Sequence, residues 1–152
     1  MIVLTVRTDK PEAEIGLYRG GERVAYETWQ AHRQLSETIH QKLDELLQAN
    51  NLALENVEGI VFYEGPGSFT GLRIGASVVN ALGYSFSVPV ASAGGESWIK
   101  QGVQLILDDS NTGAVPQYGE PARTTARRLY AGSRRLRPPR ARRSRALRPR
   151  RR

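Results

Sequence analysis

The chain has 152 residues, no cysteine and a net charge of +7 at neutral pH. This length suits one domain, and the lack of cysteine excludes disulfide bonds and thiol chemistry. The amino terminus shows no signal-peptide pattern, and no stretch approaches the ~20 apolar residues of a membrane-spanning helix, so a cytoplasmic protein is expected.

The positive charge is confined to the carboxyl-terminal end. Residues 1–120 contain eight basic and fifteen acidic residues, a net charge of −7, whereas 14 arginines and no acidic residue fall between Arg123 and Arg152. Residues 126–152 are expected to form a disordered Arg-rich tail, because such a composition cannot bury a core. The tail is an inert solvated segment, an out-of-frame translation of a GC-rich gene, or an RNA-binding arm.

Three strands are predicted at the amino-terminal end. Residues 2–8 are β-branched and apolar, and residues 13–19 and 22–29 show alternation. The Gly20-Gly21 pair between the last two is typical of a tight hairpin turn. In the third strand, alternation places Val24, Tyr26 and Thr28 on one face.

Helices and strands then alternate. A helix is predicted over 32–49, because Leu35, Ile39, Leu43, Leu46 and Leu47 form an apolar stripe. A buried strand over 57–63, a helix from Ser68 or Thr70 to Ser85, and a short strand over 88–91 follow. The last helix, over 95–107, would place Trp98, Ile99, Val103 and Leu107 on one side. The order β-β-β-α-β-α-β-α predicts an α/β fold with a mixed sheet and helices on its faces.

The most informative segment is the loop between the fourth strand and the second helix. It consists of Gly65, Pro66, Gly67, Ser68, Phe69, Thr70 and Gly71, and we call it the motif loop. Such a loop can present backbone N–H groups to an anion. However, the dinucleotide fingerprint needs Gly at Thr70, and the P-loop needs Lys at Leu72. The pattern therefore favours a tight turn and a helix cap from Ser68 or Thr70 over phosphate binding.

The second helix carries a smooth stripe of Gly71, Gly75, Val79 and Gly83. Glycine costs ~1 kcal/mol relative to alanine inside a helix, so the stripe indicates that another backbone approaches closely. Two interpretations remain open, namely packing on the protein's own sheet and contact with a partner.

Catalytic and metal sites are not favoured by the remaining polar residues. His32 and His40 would lie ~12 Å apart along one helix, too far to share a zinc ion. Ser68 lacks the second glycine of a hydrolase nucleophile elbow, and no base is placed beside it. Asp9 and Glu64 are expected to be solvated surface carboxylates.

The string GPGSFTGLRIG at residues 65–75 resembles the signature of the TsaB (YeaZ-type) family. His32 followed by Leu35 and Ile39 is similar to the second motif of that family, and residues 94–98 (GGESW) are similar to its turn before the next helix. The resemblance covers residues 1–107 and implies a ribonuclease-H-like lobe of the actin-like ATPase superfamily. Residues 108–125 would then be a connecting segment before the tail.

The resemblance also implies a function. TsaB proteins are non-catalytic partners of TsaD, and with TsaE they serve threonylcarbamoyl transfer to the adenosine beside the anticodon of tRNA. The resemblance implies docking on TsaD, or formation of a homodimer, through the two long helices. The predicted interface residues are Leu35, Ile39, Leu43, Leu72, Arg73, Gly75 and Ala76. The alternatives are nonspecific RNA binding through the Arg-rich tail and, more weakly, a peptidase-like activity.

Two departures from the family bear on cofactors. Arg7-Thr8-Asp9 stands where the family has an Asp-Thr-Ser-like turn, whose acidic residue helps to hold metal and phosphate in the superfamily. The second half-domain of full-length members is also absent from this sequence. We therefore expect no cofactor, no metal site and negligible nucleotide binding by the isolated chain.

Overall fold

The computed structural model describes residues 1–119 of the chain, and its elements follow the predicted order. The predictions for residues 120–152, including the Arg-rich tail, lie outside the described residues. In chain order the strands and helices are β1 (Ile2–Arg7), β2 (Glu12–Arg19), β3 (Glu22–Gln30), α1 (Leu35–Ala49), β4 (Gly59–Tyr63), α2 (Phe69–Phe86), β5 (Val90–Ala93) and α3 (Trp98–Leu107). Short 3₁₀ turns at His32–Gln34 and Leu54–Asn56 complete them.

The strands form one mixed sheet in the order β3-β2-β1-β4-β5. β1, β2 and β3 pair antiparallel, whereas β4 and β5 run parallel to β1. The β2–β3 turn contains Gly20 and Gly21 with φ angles of 58° and 89°, values that suit glycine in a tight hairpin turn. The predicted hairpin and the mixed sheet are therefore confirmed.

Alternation along the strands divides the core into two layers. Leu4, Val6 and Phe62 point to the face that α1 and α2 cover. Val3 and Val61 point to the opposite face, where they pack with α3. Side chains of successive strand residues point to opposite faces, so both faces of the central strands are apolar.

Helix α1 packs its predicted stripe onto the sheet. Leu35, Ile39, Leu43, Leu46 and Leu47 are all buried, and each buried side chain of this size contributes roughly 1.5–3 kcal/mol. The helix ends at Ala49, and Asn51 takes a left-handed φ of 55°. The predicted Asn50-Asn51 stop is therefore confirmed.

Helix α2 lies close to the sheet because of its glycines. A methyl group at Gly71 would overlap the Thr8 carbonyl oxygen, and one at Gly75 would overlap Thr8 Oγ1. At Gly83 the overlap would be with the Val90 side chain. Of the two interpretations of the glycine stripe, the structure supports internal packing on the protein's own sheet.

The predicted face of α3 is wrong in part, whereas the alternation predicted for β3 is confirmed. In α3 the residues buried against the sheet are Trp98, Gly102 and Ile106, whereas Leu107 is 60% exposed. A methyl group at Gly102 would overlap Val61, so this glycine sets the inward face of the helix. In β3, Val24 and Tyr26 are exposed, because α3 packs on β4 and β5 and has no comparable contact with β3.

Residues 111–118 run along the free edge of β5, and we call them the strap. The Val90 and Ser92 amides donate to Asn111 Oδ1 and Thr112 Oγ1, both at 3.1 Å. The Gly113 amide donates to the Val90 carbonyl at 3.0 Å. The strap thus satisfies edge groups of β5 that would otherwise face solvent. Within residues 1–119, no helix is long and apolar enough to cross a membrane.

Candidate functional site

The motif loop packs on the end of β1. The Ser68 amide donates to the Asp9 carbonyl at 2.8 Å, and Thr8 Oγ1 donates to the Gly71 carbonyl at 2.8 Å. A methyl group at Gly67 would overlap Asp9. The glycines at 67 and 71 therefore allow two stretches of backbone to touch.

Amides of the motif loop and of the first turn of α2 are bonded within the lobe. Ser68 caps α2, since its Oγ accepts from the Gly71 amide at 3.2 Å. The Leu72 amide donates to the Ser68 carbonyl at 2.9 Å. The Ser68, Gly71 and Leu72 amides are thus occupied within the lobe, which favours the structural role of the loop that the sequence indicated. Ser68 Oγ thus has a capping role, which gives the peptidase-like alternative no support.

Beside the motif loop, Asp9 forms the most buried ion pair that the structure describes. Arg7 Nε lies 2.7 Å from Asp9 Oδ1, and Arg7 Nη2 lies 3.2 Å from Asp9 Oδ2. The prediction that Asp9 is a solvated carboxylate is wrong, because it is only 8% exposed and paired. Hydrogen bonding and charge from Asp9 hold the pKa of Arg7 above its ordinary value. The partner of Asp9 is two residues away, in the position at which the family pattern has an acidic residue.

The site does not fit the metal and phosphate centre of the superfamily. Both oxygens of Asp9 are engaged by Arg7, and the positive guanidinium would repel a metal cation at this position. Among residues 1–119 no group of three or more His, Asp or Glu side chains is placed to hold a metal.

The structure brings the two family motifs together in one cleft. A cavity of about 570 Å³ is lined by the turn at His32, by Lys10, and by Ser68, Thr70 and Gly71 of the motif loop. The sequence did not show this proximity, because the two motifs are separated by more than 30 residues along the chain.

A second depression lies on the outer side of α1 and α2, and we call it the α1–α2 groove. It has a volume of about 460 Å³ and is lined by Ser36, His40, Thr70, Arg73, Ile74, Ser77 and Val78. The two histidines, which the sequence indicated are too far apart to share a zinc ion, lie in different depressions, with His32 in the cleft and His40 in the groove.

The predicted interface residues are mostly in the core. Arg73 is exposed, whereas Leu35, Ile39, Leu43, Leu72, Gly75 and Ala76 are buried. These six pack between the helices and the sheet, so as surface contacts they are a wrong choice within this lobe. Ile74, Ser77 and Val78 were not predicted, although each is one to four residues from a predicted position on the same helix.

Comparisons with known proteins find similarity to TsaB and TsaD proteins. Residues 29–92 match the family model of TsaD, tRNA N6-adenosine threonylcarbamoyltransferase. The chain is 38% identical over 74 residues to the tRNA threonylcarbamoyladenosine biosynthesis protein TsaB of Haemophilus influenzae, which is 49% of this chain and 30% of that protein. It is 27% identical over 92 residues to TsaB of Bacillus subtilis, which is 60% of this chain and 40% of that protein.

A solved structure agrees with these matches. YeaZ from Pseudomonas aeruginosa superposes with a TM-score of 0.58 at 25% identity, covering 66% of this chain and 50% of that chain. The described lobe is therefore similar to TsaB (YeaZ-type) proteins. The mixed sheet with helices on its faces confirms the predicted α/β fold class, and the match to YeaZ agrees with the lobe that the resemblance implied. The chain spans about half the length of that YeaZ structure, and its alignments span less than half of the curated TsaB relatives.

Proposed function

We propose that this lobe is a non-catalytic partner subunit of TsaD in threonylcarbamoyl transfer to tRNA. The observation that carries the proposal is the packing of the motif loop, whose glycines and amides serve contact with β1 and the cap of α2. Ser68 caps a helix and both oxygens of Asp9 are paired with Arg7, so neither group is arranged for catalysis and the proposal leaves the chemistry to a partner. The matches to TsaB proteins and to the TsaD family model support the same assignment.

The α1–α2 groove is the docking surface that we propose for TsaD. Arg73, Ile74 and Ser77 line it from α2, and Ser36 and His40 line it from α1. Ile74 supplies apolar area that is only partly buried, and Arg73 is exposed, with its guanidinium 5.3 Å from the Phe69 ring. An apolar centre with an arginine at its border is a common composition of a protein interface.

Three further features of the proposal follow from the resemblance. TsaE would join the complex, tRNA would be reached through the complex, and the lobe alone would form a homodimer through the same groove. No cofactor is assigned to this lobe in the proposal. Because homodimer and TsaD complex share one surface, they would compete, and TsaD should dissociate the homodimer.

The test is a matched pair of charge reversals. Arg73→Glu in the groove and Lys100→Glu on α3 make the same change of charge, and both side chains are exposed. We expect Arg73→Glu to weaken TsaD binding by at least about tenfold, equivalent to ~1.4 kcal/mol, and Lys100→Glu to leave it unchanged. Calorimetric titration or sedimentation with purified TsaD measures both.

A second pair of substitutions tests the apolar centre of the groove. Ile74→Asp places a carboxylate in the apolar centre of the groove, where an unpartnered charge is costly to bury. Val103→Asp is the control, because Val103 is also half-buried but lies on α3. If Ile74→Asp and Arg73→Glu both fold and bind TsaD like the parent, the groove is not the interface.

A further inference from the structure

Arg7 lies between two carboxylates and an aromatic ring at the carboxyl end of β1. Its Nε is 2.7 Å from Asp9 Oδ1 and 3.9 Å from Glu14 Oε2. Its guanidinium carbon lies 4.1 Å from the centroid of the Tyr63 ring, a distance at which a cation is attracted to the ring. Tyr63 in turn packs edge-on against Trp98 at 5.5 Å. A single cation is therefore held from three sides.

Asp9 depends on this cation. Its side chain is 6% exposed, whereas that of Arg7 is 23% exposed. A carboxylate that is buried without a partner is strongly destabilising, because the lost hydration is not replaced. The other carboxylate, Glu14, is also mostly buried at 15% and lies within 3.8 Å of Lys10.

The motif loop in turn depends on Asp9. Ser68 donates its amide to the Asp9 carbonyl, and Gly67 lies directly against the Asp9 backbone and Cβ. A displacement of Asp9 therefore displaces the first residues of the loop that lead into α2. The chain of contacts runs from the Tyr63 ring through Arg7 and Asp9 to Ser68.

We propose that Arg7 is a built-in cation that neutralises Asp9 and Glu14 in place of a divalent metal and thereby positions the motif loop. In the superfamily pattern, the acidic residue that helps to hold a metal ion stands at the position that Arg7 occupies here. Here the guanidinium engages both oxygens of the Asp9 carboxylate, so Asp9 is held in position without a metal ion. Arg7 is a positioning residue, and this role is independent of the partner that the lobe binds.

The first test is a double-mutant cycle of Arg7→Gln and Asp9→Asn. Arg7→Gln leaves Asp9 as an unpaired buried carboxylate, so the melting temperature should fall by about 5–15 °C. Adding Asp9→Asn removes that charge and should restore at least half of the loss. Arg7→Lys, which keeps the charge without the two-pronged contact, should lie between the parent and Arg7→Gln.

The second test asks whether a divalent ion replaces Arg7. Melting is measured with about 10 mM MgCl₂ and with NaCl at the same ionic strength, since salt alone screens charges. The parent and the double variant should show no difference between the salts, whereas Arg7→Gln should be stabilised more by MgCl₂. Stabilisation of the parent by Mg²⁺, or equal effects of both salts on Arg7→Gln, would overturn the proposal.

The third test reads the loop directly by amide hydrogen exchange. In Arg7→Gln the Ser68 amide should exchange about tenfold faster, because local opening becomes easier. The Leu52 amide is the control, since it bonds to the Leu47 carbonyl at the far end of α1. Equal acceleration at both amides would mean general destabilisation and would refute the positioning role.

If Arg7→Gln does not fold, the double variant with Arg7→Gln and Asp9→Asn tests the proposal. A folded double variant supports neutralisation of Asp9 as the role of Arg7, and a double variant that is also unfolded contradicts it.

Discussion

At the scale of single residues, a residue that the core requires can be mistaken for one that contacts a partner protein. Gly75 is the clearest example, because the space beside it is occupied by Thr8 Oγ1 and by Phe62 Cε2 at 2.9 Å from an added methyl group. Its role in this lobe is to let α2 approach β1. A partner helix is not needed to explain why glycine stands there.

Gly75→Leu is therefore expected to destabilise the fold. Forcing a leucine into this filled space should lower the free energy of unfolding by at least about 2 kcal/mol, since overpacking displaces backbone as well as side chains. Urea unfolding followed by circular dichroism measures this change. The matched control is Ala81→Leu on the exposed side of the same helix, which should change the stability by less than ~0.5 kcal/mol.

The outcome also tests the earlier interface assignment. A Gly75→Leu protein with parental stability and lost TsaD binding would return Gly75 to the interface. Reduced stability with binding retained by the folded fraction would keep it in the core.

At the scale of elements, periodicity predicted which segments form helices better than which face they bury. The stripe of α1 was identified because five leucine or isoleucine residues repeat over four turns. In α3 the helix is ten residues long, and Gly102, which has no side chain to signal burial, sets the inward face. For β3 the pattern was correct, but alternation cannot reveal that one half of a sheet face lacks a covering helix.

The residues of the partner interface could not be predicted from the sequence for a related reason. An apolar stripe that faces a sheet and one that faces a partner have the same spacing. Leu72 and Ala76 are therefore equally good candidates for both roles until the sheet is placed. The groove itself combines residues of α1 and α2, and local patterns contain no information on how two helices are placed side by side.

Helix α2 offers a test of the capping role of the motif loop. Ser68→Ala removes the acceptor of the Gly71 amide, and loss of such a cap costs about 1 kcal/mol. Ser77→Ala, at an exposed interior position of the same helix, is the matched control and should be neutral or slightly stabilising. Unfolding of both variants under the same conditions gives the comparison, and identical stabilities would contradict the cap.

At the scale of the whole molecule, charge is distributed very unevenly along the chain. Residues 1–120 carry eight basic and fifteen acidic residues, and the 14 remaining basic residues are all Arg within residues 123–152. A net negative body repels nucleic acid, whereas a run of arginines attracts phosphates irrespective of sequence. Any direct affinity of this chain for tRNA is therefore proposed to reside in residues 123–152.

A chain shortened to residues 1–120 tests this proposal. It should lose tRNA binding together with the dependence of that binding on salt, because each phosphate contact contributes about 0.7–0.9 to the logarithmic salt slope. Filter binding or fluorescence anisotropy at several NaCl concentrations provides the measurement. Full retention of affinity by the shortened chain would assign RNA binding to the lobe, and TsaD binding by the same chain serves as the control for folding.

The strap also determines where a shortened form of this lobe can end. Asn111 and Thr112 occupy the edge of β5 with side-chain oxygens, and the Gln117 amide reaches the Glu64 carbonyl at 2.6 Å, next to the motif loop. A chain cut after Leu107, where the last helix ends, would keep every helix and strand but expose a short row of unpaired edge amides. Such an edge invites strand-to-strand aggregation. The smallest fragment suited to expression and storage in soluble form therefore reaches at least Gln117, a boundary set by hydrogen bonds that the list of helices and strands does not reveal.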